Sequence, residues 1–526
     1  MSRDALSRRD LVRWMALGAG AGPLAAWLAG CAGSGPPTAA TATSASRSTV
    51  RSPVSPPTST STTVAPSTST TSTVAPTTVP VDPSRPWWMQ GNFGPVAEEV
   101  RSGPLEVIGA IPPELSGTYV RNGSNPAGGD SPHWFFGDGM VHGMRLAGGR
   151  AEWYANRYVR TTMYEASAGF GQGPPGGAAN QSNVSALWHG GRLLTSGEVG
   201  LPYELRADDL ATVGPYDFGG GLTTAFTAHP KIDPSTGRLH SFGYGFVAPF
   251  LTYHVIEPDG TLVHSEVVEL PRSTMIHDFA ITDRDVVFWD LPVVFDLEAA
   301  IRFIEDPSGG TFPYAWTPDV GARVGVMPLA GGATTIQWFD IEPCYVFHGV
   351  NAFRRGDEVV VDVCRLTSMF AAGELFGGEQ SLRRWTLDTA TGVPRDDVVE
   401  VDDPGELPTR DPRLVGREHR HAYLVGGRYN PHTVDFGGVI KHDYATGRRT
   451  RWEPGPTVHG GEWLFVPTTA DPADDAGYLL GFVHDDATDV SELVVLDATD
   501  VAAGPVARVP TPQRVPYGFH GTWIPS

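Results

Sequence analysis

The sequence predicts an all-β repeat fold over residues 86–526, and two observations favour a β-propeller of about seven blades. The first is a recurring two-strand layout with a glycine turn between the strands, as in "SLRRWTLDTATGVPRDDVVEV", "GGVIKHDYATGRRTRWEP" and "LHSFGYGFVAPFLTYHVIEPDGTLVHSEVVEL". The second is size, because a region of roughly 440 residues is large for a β-sandwich and suits seven blades. Propellers commonly close by bringing the two ends of the domain together, so we expect the last strand to be structural.

Residues 1–31 have the features of an export signal. Arg8 and Arg9 precede an apolar run that is too short and glycine-rich for a membrane span. The paired arginines resemble a twin-arginine signal, a route that carries folded proteins. The sequence "LAGC" resembles a lipoprotein processing box ending at Cys31. We therefore expect an exported chain, lipid-anchored through Cys31 to the outer face of the cytoplasmic membrane. The alternative is an ordinary signal with a chance cysteine.

Residues 32–85 form a low-complexity segment, built almost entirely from Ser, Thr, Pro, Ala, Val and Gly, as in "STSTTVAPSTSTTSTVAPTTVP". Such a composition cannot bury enough apolar surface to offset the loss of chain entropy on folding. We predict a disordered linker between the membrane anchor and the domain over 86–526.

The composition limits the classes of partner. The formal net charge is -21 and no basic patch stands out, which argues against a nucleic-acid partner. Three cysteines, Cys31, Cys344 and Cys364, are too few for a disulfide scaffold. Whether Cys344 and Cys364 form a bond across a hairpin is left open by the sequence.

Four of the sixteen histidines have distinctive apolar or aromatic neighbours. They are His229, His277, His348 and His520. A single histidine is more often a surface or hydrogen-bonded core residue than a metal ligand. In a propeller, however, residues from different blades can all point to the axis, so wide spacing along the chain does not exclude a shared site.

The blocks around these histidines resemble those of the carotenoid cleavage oxygenases, the family that includes the retinal pigment epithelium isomerase and bacterial stilbene-cleaving enzymes. Eight blocks occur in the family's order: "GTYVRNGSNP", "HWFFGDGMVHGMRL", "NRYVRT", "TAHPKIDPSTG", "IHDFAIT", "CYVFHGVNAF", "GGEWLFVP" and "RVPYGFHGTW". The resemblance implies a seven-bladed propeller with short helical and loop insertions forming a dome over one face. It also implies one non-haem Fe(II) per chain on the propeller axis, bound by His229, His277, His348 and His520.

The same resemblance implies a second set of residues around the ligands. Family members supply glutamates to three of the four histidines, and the matching positions are Glu198, Glu406 and Glu462. By the family's pairing, these residues would orient His277, His348 and His520 respectively. A ligating imidazole usually donates its other N–H to such an acceptor. Val184 stands where many members have a threonine near the metal, so a steric role in the site wall is retained and the hydroxyl is lost.

The implied reaction is cleavage of a conjugated C=C bond by O2 to give two carbonyl products. The stilbene-cleaving branch has a phenol-binding lysine at the position of Gly197, so this sequence favours a hydrophobic polyene, a carotenoid or apocarotenoid. Residues 293–304 and 366–376 could line a lipid-facing tunnel mouth, or could be ordinary propeller core or blade insertions. Two alternatives stay open: the same chemistry on a stilbenoid or phenylpropenoid, and a non-catalytic polyene-binding lipoprotein.

Overall fold

The computed structural model describes most of the region after residue 81. The described residues are 82, 84–167, 180–305, 312–371, 377–427, 429–430, 433–434, 436–468 and 475–526. The export signal, Cys31 and nearly all of the linker lie outside them, so these remain predictions. Within the described ranges, no helix is both long and apolar enough to cross a membrane.

The described chain forms a seven-bladed β-propeller, which confirms the predicted fold. We number the blades I–VII in chain order, counting blade I from the strand Gly117–Ser124. Blade II contains Ser185–His189, Arg192–Ser196, Tyr203–Leu205 and Thr212–Pro215. Blade III contains Lys231–Ile232, Leu239–Tyr244, Leu251–Ile256 and Leu262–Val267. Blade IV contains Ala280–Ile281, Asp285–Asp290, Ala322–Pro328 and Gln337–Ile341.

The next two blades are also simple four-stranded antiparallel sheets. Blade V contains Tyr345–Arg355, Glu358–Leu366, Gln380–Asp388 and Val393–Glu400. Blade VI contains Glu406–Thr409, His421–Val425, Val439–Asp443 and Arg449–Trp452. In blades II–VI the first strand lies at the axis, where inner strands of neighbouring blades contact one another, as Tyr345–Arg355 does with Ala280–Ile281 and Glu406–Thr409.

Blades VII and I each combine strands from both ends of the domain. Blade VII contains Ile108–Gly109, Pro505–Pro510, Val490–Asp497, Gly477–Asp485, Val458–His459 and Leu464–Pro467. Blade I contains Arg101–Ser102, Arg150–Tyr158, Gly139–Ala147, Gly117–Ser124 and Gly521–Pro525. In blade I, Gly521–Pro525 is the inner strand and pairs antiparallel with Gly117–Ser124, from Gly117 opposite Pro525 to Arg121 opposite Gly521. The late strand therefore closes the propeller, as the sequence predicted.

Burial decreases from the middle of a blade to its outer edge. Every residue of Leu239–Tyr244 is buried, whereas exposed and half-buried side chains alternate along the outer strand Leu262–Val267. Large side chains such as Trp289 and Trp385 fill the space between blades, and each is only 1% exposed. Cys344 and Cys364 are free, buried thiols, and burial raises the pKa of Cys344 to about 12.

Helices and short sheets occur only in the connections of the described chain. The α-helices are α1 (Thr162–Glu165) and α2 (Leu297–Glu305), and two-stranded sheets pair Val293–Phe295 with Tyr314–Trp316 and Tyr429–Asn430 with Thr433–Val434. The described 3-10 turns are Trp87–Met89, Gly91–Phe93, Trp134–Phe136, Pro318–Val320, Ala333–Thr335, Pro412–Leu414 and Val501–Ala503. The insertion that holds α2 extends over one end of the axis and contributes to the cavity described next.

Candidate metal centre

The four predicted histidines, which we call the axial histidines, meet on the propeller axis. His229, His277 and His520 lie just before the inner strands of blades III, IV and I. His348 lies within the inner strand of blade V, where the pairing register shifts between Val346 and Gly349. Such an irregularity changes the direction in which a side chain points from its strand. Inner strands converge at the axis, which brings residues that are far apart in sequence into one cluster.

The axial histidines are close enough to share one ion. One ring nitrogen from each lies within 4.8 Å of those of the others. The Nε2 atoms of His229 and His277 are 3.0 Å apart, and the ring centroids of His229 and His520 are 4.4 Å apart. Two imidazole nitrogens bound at right angles to one divalent ion, at about 2.1 Å each, would lie about 3 Å apart. The spacing therefore fits a common metal ligand shell.

Three carboxylates, which we call the paired glutamates, contact the outer nitrogens of three axial histidines. Glu406 is 2.6 Å from Nδ1 of His348, and Glu462 is 2.7 Å from Nδ1 of His520. Glu198 accepts from Nδ1 of His277. These are the three pairs that the resemblance implies. Because Nδ1 donates to a carboxylate, each of these rings presents Nε2 to the centre of the cluster.

The seven side chains come one from each blade. The axial histidines belong to blades I, III, IV and V. Glu198 lies between two strands of blade II, Glu406 begins the inner strand of blade VI, and Glu462 precedes Leu464–Pro467 in blade VII. Within the described chain, no carboxylate contacts the ring of His229. Every blade thus supplies one group to the centre.

The environment favours neutral imidazoles in part of the cluster. Burial, with the neighbouring rings of His520 and His277, holds the pKa of His229 and His348 well below the usual range. Burial also lowers the pKa of His277, but the adjacent Glu198 carboxylate outweighs it and the net shift is upward. Neutral imidazole is the form that binds a metal ion.

Two further observations fit a bound cation. Nε2 of His348 is buried and has no hydrogen-bond partner, so it is available as a ligand. Burial raises the pKa of Glu406 to about 8, and a divalent ion beside His348 would offset that cost of burying a carboxylate. A set of four imidazoles suits first-row ions such as Fe, Cu, Ni and Zn.

An aromatic cavity leads to the cluster from one end of the axis. It encloses about 1070 Å³ of empty space, its opening to solvent included. His277, His348 and His520 lie in its wall, and Glu198 is the one acidic group among the described wall residues. The rings that line it include Trp134, Phe135, Phe312, Tyr314, Phe347 and Phe519.

The predicted wall residue Val184 lines this cavity, and so does Gly197. The carbonyl of Val184 accepts from the backbone N–H of His520 at 3.0 Å, which places residue 184 beside the cluster. A Cβ at residue 197 would have its nearest neighbour at 3.6 Å, so the position has room for a side chain. Within the described chain, the wall contains no lysine or arginine.

The two segments predicted for a tunnel mouth lie behind this wall. Phe303 of α2 packs against Phe136, with ring centroids 5.1 Å apart. Phe370 stacks on Phe312 at 4.3 Å. Of the insertion that contains α2, residues 312–314 contribute to the wall itself. Residues 372–376 lie outside the described ranges.

A second cavity, which contains several charged side chains, also borders the axial histidines. Its wall includes His229, His348 and His520 together with Lys231, Asp278 and Arg410. Sequence reasoning did not single out Asp278, although it directly follows His277 in "IHDFAIT". It also did not identify the aromatic wall residues of "HWFFGDG", which the sequence marks only as a family block.

Comparisons with known proteins agree with this architecture. The chain matches the retinal pigment epithelial membrane protein family over residues 93–525. It is 39% identical over 499 residues to a carotenoid cleavage oxygenase of Mycobacterium tuberculosis, covering 84% of this chain and 97% of the relative. It is 33% identical over 505 residues to a carotenoid 9,10(9',10')-cleavage dioxygenase of Crocus sativus, covering 84% and 90%.

Solved structures give the same picture. The crystal structure of the lignostilbene dioxygenase of Pseudomonas brassicacearum superposes with a TM-score of 0.76 at 30% identity, covering 84% of this chain and 99% of that one. A cobalt-substituted apocarotenoid oxygenase of Synechocystis superposes with a TM-score of 0.72 at 27% identity, covering 82% and 97%. With its seven blades, its axial histidines and these relatives, the chain belongs to the family of the retinal pigment epithelial membrane protein and the carotenoid cleavage oxygenases, and is an oxygenase.

Proposed function

We propose that the protein is a non-haem Fe(II)-dependent dioxygenase that cleaves one conjugated C=C bond of a carotenoid or apocarotenoid. The observation that carries this proposal is the position of the axial histidines at the inner end of an aromatic cavity. The carbon–carbon double bond breaks, each of its two carbons gains one oxygen atom, and both atoms of O2 appear in the two carbonyl products. No further oxidant or reductant is needed for that balance.

The protein residues divide the work between holding the metal and holding the substrate. The axial histidines would bind one ion through the nitrogens that face the centre, and four neutral imidazoles would leave its charge at +2. The chemistry that Fe(II) supplies when bound is activation of O2. The paired glutamates hold three imidazole rings in one orientation through Nδ1. The aromatic wall excludes water and orients the polyene by contact with its flat, conjugated chain.

The composition of the cavity wall supports a polyene as the substrate. Its lining is dominated by aromatic rings, and Gly197 supplies no ammonium group where a phenol-binding lysine would stand. Burial of apolar surface is the main driving force available to such a ligand, at about 25 cal/mol per Å². The Mycobacterium and Crocus relatives are named for carotenoid cleavage, and the Synechocystis structure for apocarotenoid oxygenation.

A stilbenoid is the second candidate, and the similarity to the Pseudomonas lignostilbene dioxygenase favours it. A non-catalytic polyene-binding role is the third. Metal content and turnover separate it from the other two, because a binder needs neither. Catalysis requires a bound metal ion, and four buried histidines, three of them paired with glutamates, would hold one. Simple binding of a polyene requires no metal ion.

Incubation of iron-loaded protein with carotenoids, apocarotenals and resveratrol under 18O2 tests the proposal. We expect about one iron per chain and labelled aldehydes from one or more polyenes, with one labelled oxygen in each product, identified by mass spectrometry. His348→Ala, which removes one ligand, is the control and should give no product. Cleavage of resveratrol alone would assign the stilbenoid, and iron-free protein that binds polyenes without turnover would assign the binder.

We also propose that the protein works at a membrane surface. A polyene is insoluble in water and resides in lipid, so a lipid anchor at Cys31 with the linker over residues 32–85 would keep the propeller near its substrate. The twin-arginine-like signal supports export of a folded chain with its metal already inserted.

A further inference from the structure

One buried carboxylate outside the paired glutamates contacts three different segments of the metal centre. Asp278 is only 1% exposed and directly follows His277. Its Oδ1 accepts from Nζ of Lys231 at 2.6 Å and from the backbone N–H of Phe279 at 2.8 Å. Its Oδ2 accepts from the backbone N–H of Gly349 at 2.9 Å. All of these contacts involve a charged acceptor, which makes them shorter and stronger than neutral hydrogen bonds.

The partners of Asp278 are neighbours of the axial histidines. Lys231 lies two residues after His229 in blade III, and Gly349 directly follows His348 in blade V. Asp278 itself belongs to the His277 segment of blade IV. We propose that Asp278 is a positioning residue that fixes the spacing of His229, His277 and His348 by holding their three segments together. The proposal rests on the proposed binding of a metal ion by these histidines.

The geometry around Gly349 shows how closely the segments approach. A Cβ at residue 349 would lie 2.9 Å from Trp289 and 3.7 Å from Oδ2 of Asp278. The segment that holds the fourth histidine, His520, is fixed in the same way by a different carboxylate. There Oε2 of Glu462 accepts from the backbone N–H of Gly521, which directly follows His520, at 2.7 Å. In both cases a carboxylate holds the peptide N–H directly after a histidine, so the backbone of that ligand cannot shift independently.

A test must separate positioning from simple electrostatics. Asp278→Asn removes a negative charge near the ion, and charge alone would weaken cation binding. Lys231→Met removes a positive charge, and charge alone would strengthen it. The double variant D278N/K231M leaves the net charge unchanged, yet it removes the contact with the Lys231 segment and leaves only one side-chain oxygen at residue 278 to accept from Phe279 or Gly349. It also removes the buried ion pair as a whole, which is better tolerated than removing one partner.

Asp285 provides a matched control in the same blade. It is 6% exposed and accepts from Nη2 of Arg354 in blade V at 3.0 Å, so it also joins blades IV and V. Arg354 lies at the far end of the strand that holds His348, and neither Asp285 nor Arg354 contacts a residue next to an axial histidine. Asp285→Asn therefore reproduces the loss of a buried interblade ion pair at a distance from the peptide groups that directly follow the axial histidines.

The experiment measures Co²⁺ binding to the metal-free full chain by the visible d–d absorption of the ion, with melting temperature recorded for every variant. For D278N/K231M we expect about tenfold weaker Co²⁺ binding and a shifted absorption band, while Asp285→Asn binds Co²⁺ with the affinity and spectrum of the wild type. Lys231→Met alone should also shift the band, because it releases the His229 segment.

A double variant with the wild-type affinity and band would overturn the proposal, and so would an equal shift in Asp285→Asn, which would indicate general loosening between blades. If Asp278→Asn does not fold, the double variant and Lys231→Met still decide the matter. Failure of the wild-type protein to bind Co²⁺ would instead refute the metal centre itself.

Discussion

Deletion of residues 520–526 should damage the metal centre and the fold separately, because the last strand of blade I serves both. His520 lies at the axis with Nδ1 on Glu462, and the following strand forms five residue pairs with Gly117–Ser124. Burial of Ile524, which is 5% exposed, contributes about 1.5–3 kcal/mol. Each backbone group left without its partner in the remaining strand costs about 1 kcal/mol or more.

Ile524 and about three such backbone groups together contribute about 4–6 kcal/mol, a large part of the roughly 5–15 kcal/mol that stabilises a typical domain. We expect the melting temperature of the metal-free truncated protein to fall by about 5 °C or more. His520→Ala should lose most of the iron while its metal-free form melts close to the metal-free wild type. Ile524→Ala should do the opposite and retain iron at a reduced melting temperature.

The assay combines calorimetry of the metal-free proteins with elemental analysis after loading with one equivalent of Fe(II). Comparison of metal-free forms matters, because a bound ion raises the apparent stability of any protein that holds it. A truncated protein with wild-type iron content and melting temperature would refute the reasoning. Iron loss in Ile524→Ala together with a reduced melting temperature would show that the two roles cannot be separated.

Four further predictions follow from other parts of the molecule. Replacement of each of the paired glutamates by Gln should lower iron affinity by about 10–100-fold, since the neutral amide orients the ring less firmly; wild-type affinity in all three variants, measured by competition with a chelator, would contradict the pairing. Gly197→Lys should reduce polyene cleavage at least tenfold, because it places an ammonium group in a largely aromatic cavity; a wild-type rate of product formation would contradict this. Burial lowers the pKa of His240 from 6.5 to about 4, so its contribution to stability is present above pH 6.5 and is lost as the pH falls towards 4; between pH 7 and pH 5, denaturant titrations of His240→Gln should show a loss about 1–2 kcal/mol smaller than that of the wild type. Changing Arg8 and Arg9 to Lys should leave folded precursor in the cytoplasm, and Cys31→Ala should release soluble exported protein, both seen by fractionation; wild-type protein found wholly in the cytoplasm would count against export.

The hairpins within blades could be predicted from sequence because their paired strands follow one another closely along the chain. Strands such as Gln380–Asp388 and Val393–Glu400 are joined by a short turn with glycine, whose signal lies in adjacent residues. The composition of blades I and VII could not be predicted in the same way. Ile108–Gly109 pairs with Pro505–Pro510, and no turn connects partners so distant in sequence. Tertiary packing alone determines that pairing.

The axial histidines illustrate a similar limit. Other histidines, including His240 and His254, are equally buried in strands, where they contact Tyr253 and Ser265 instead of one another. Apolar and aromatic neighbours drew attention to the four axial histidines, but local sequence cannot distinguish these two environments, and only the ordered family blocks implied a role as metal ligands. Asp278 was missed because its partners Lys231 and Gly349 belong to other blades, so their contact has no signature in the sequence around residue 278.

The contribution of one group from every blade restricts how this architecture can evolve. Repeat folds commonly gain or lose units by duplication or deletion of a segment, and propellers occur with about four to eight blades. Here the gain or loss of any single blade would widen or narrow the ring around the axis and would break the one-to-one correspondence between blades and the seven axial groups. The number of blades therefore cannot change without disturbing the metal centre. Changes in substrate specificity are confined to the cavity wall and to the insertions around it.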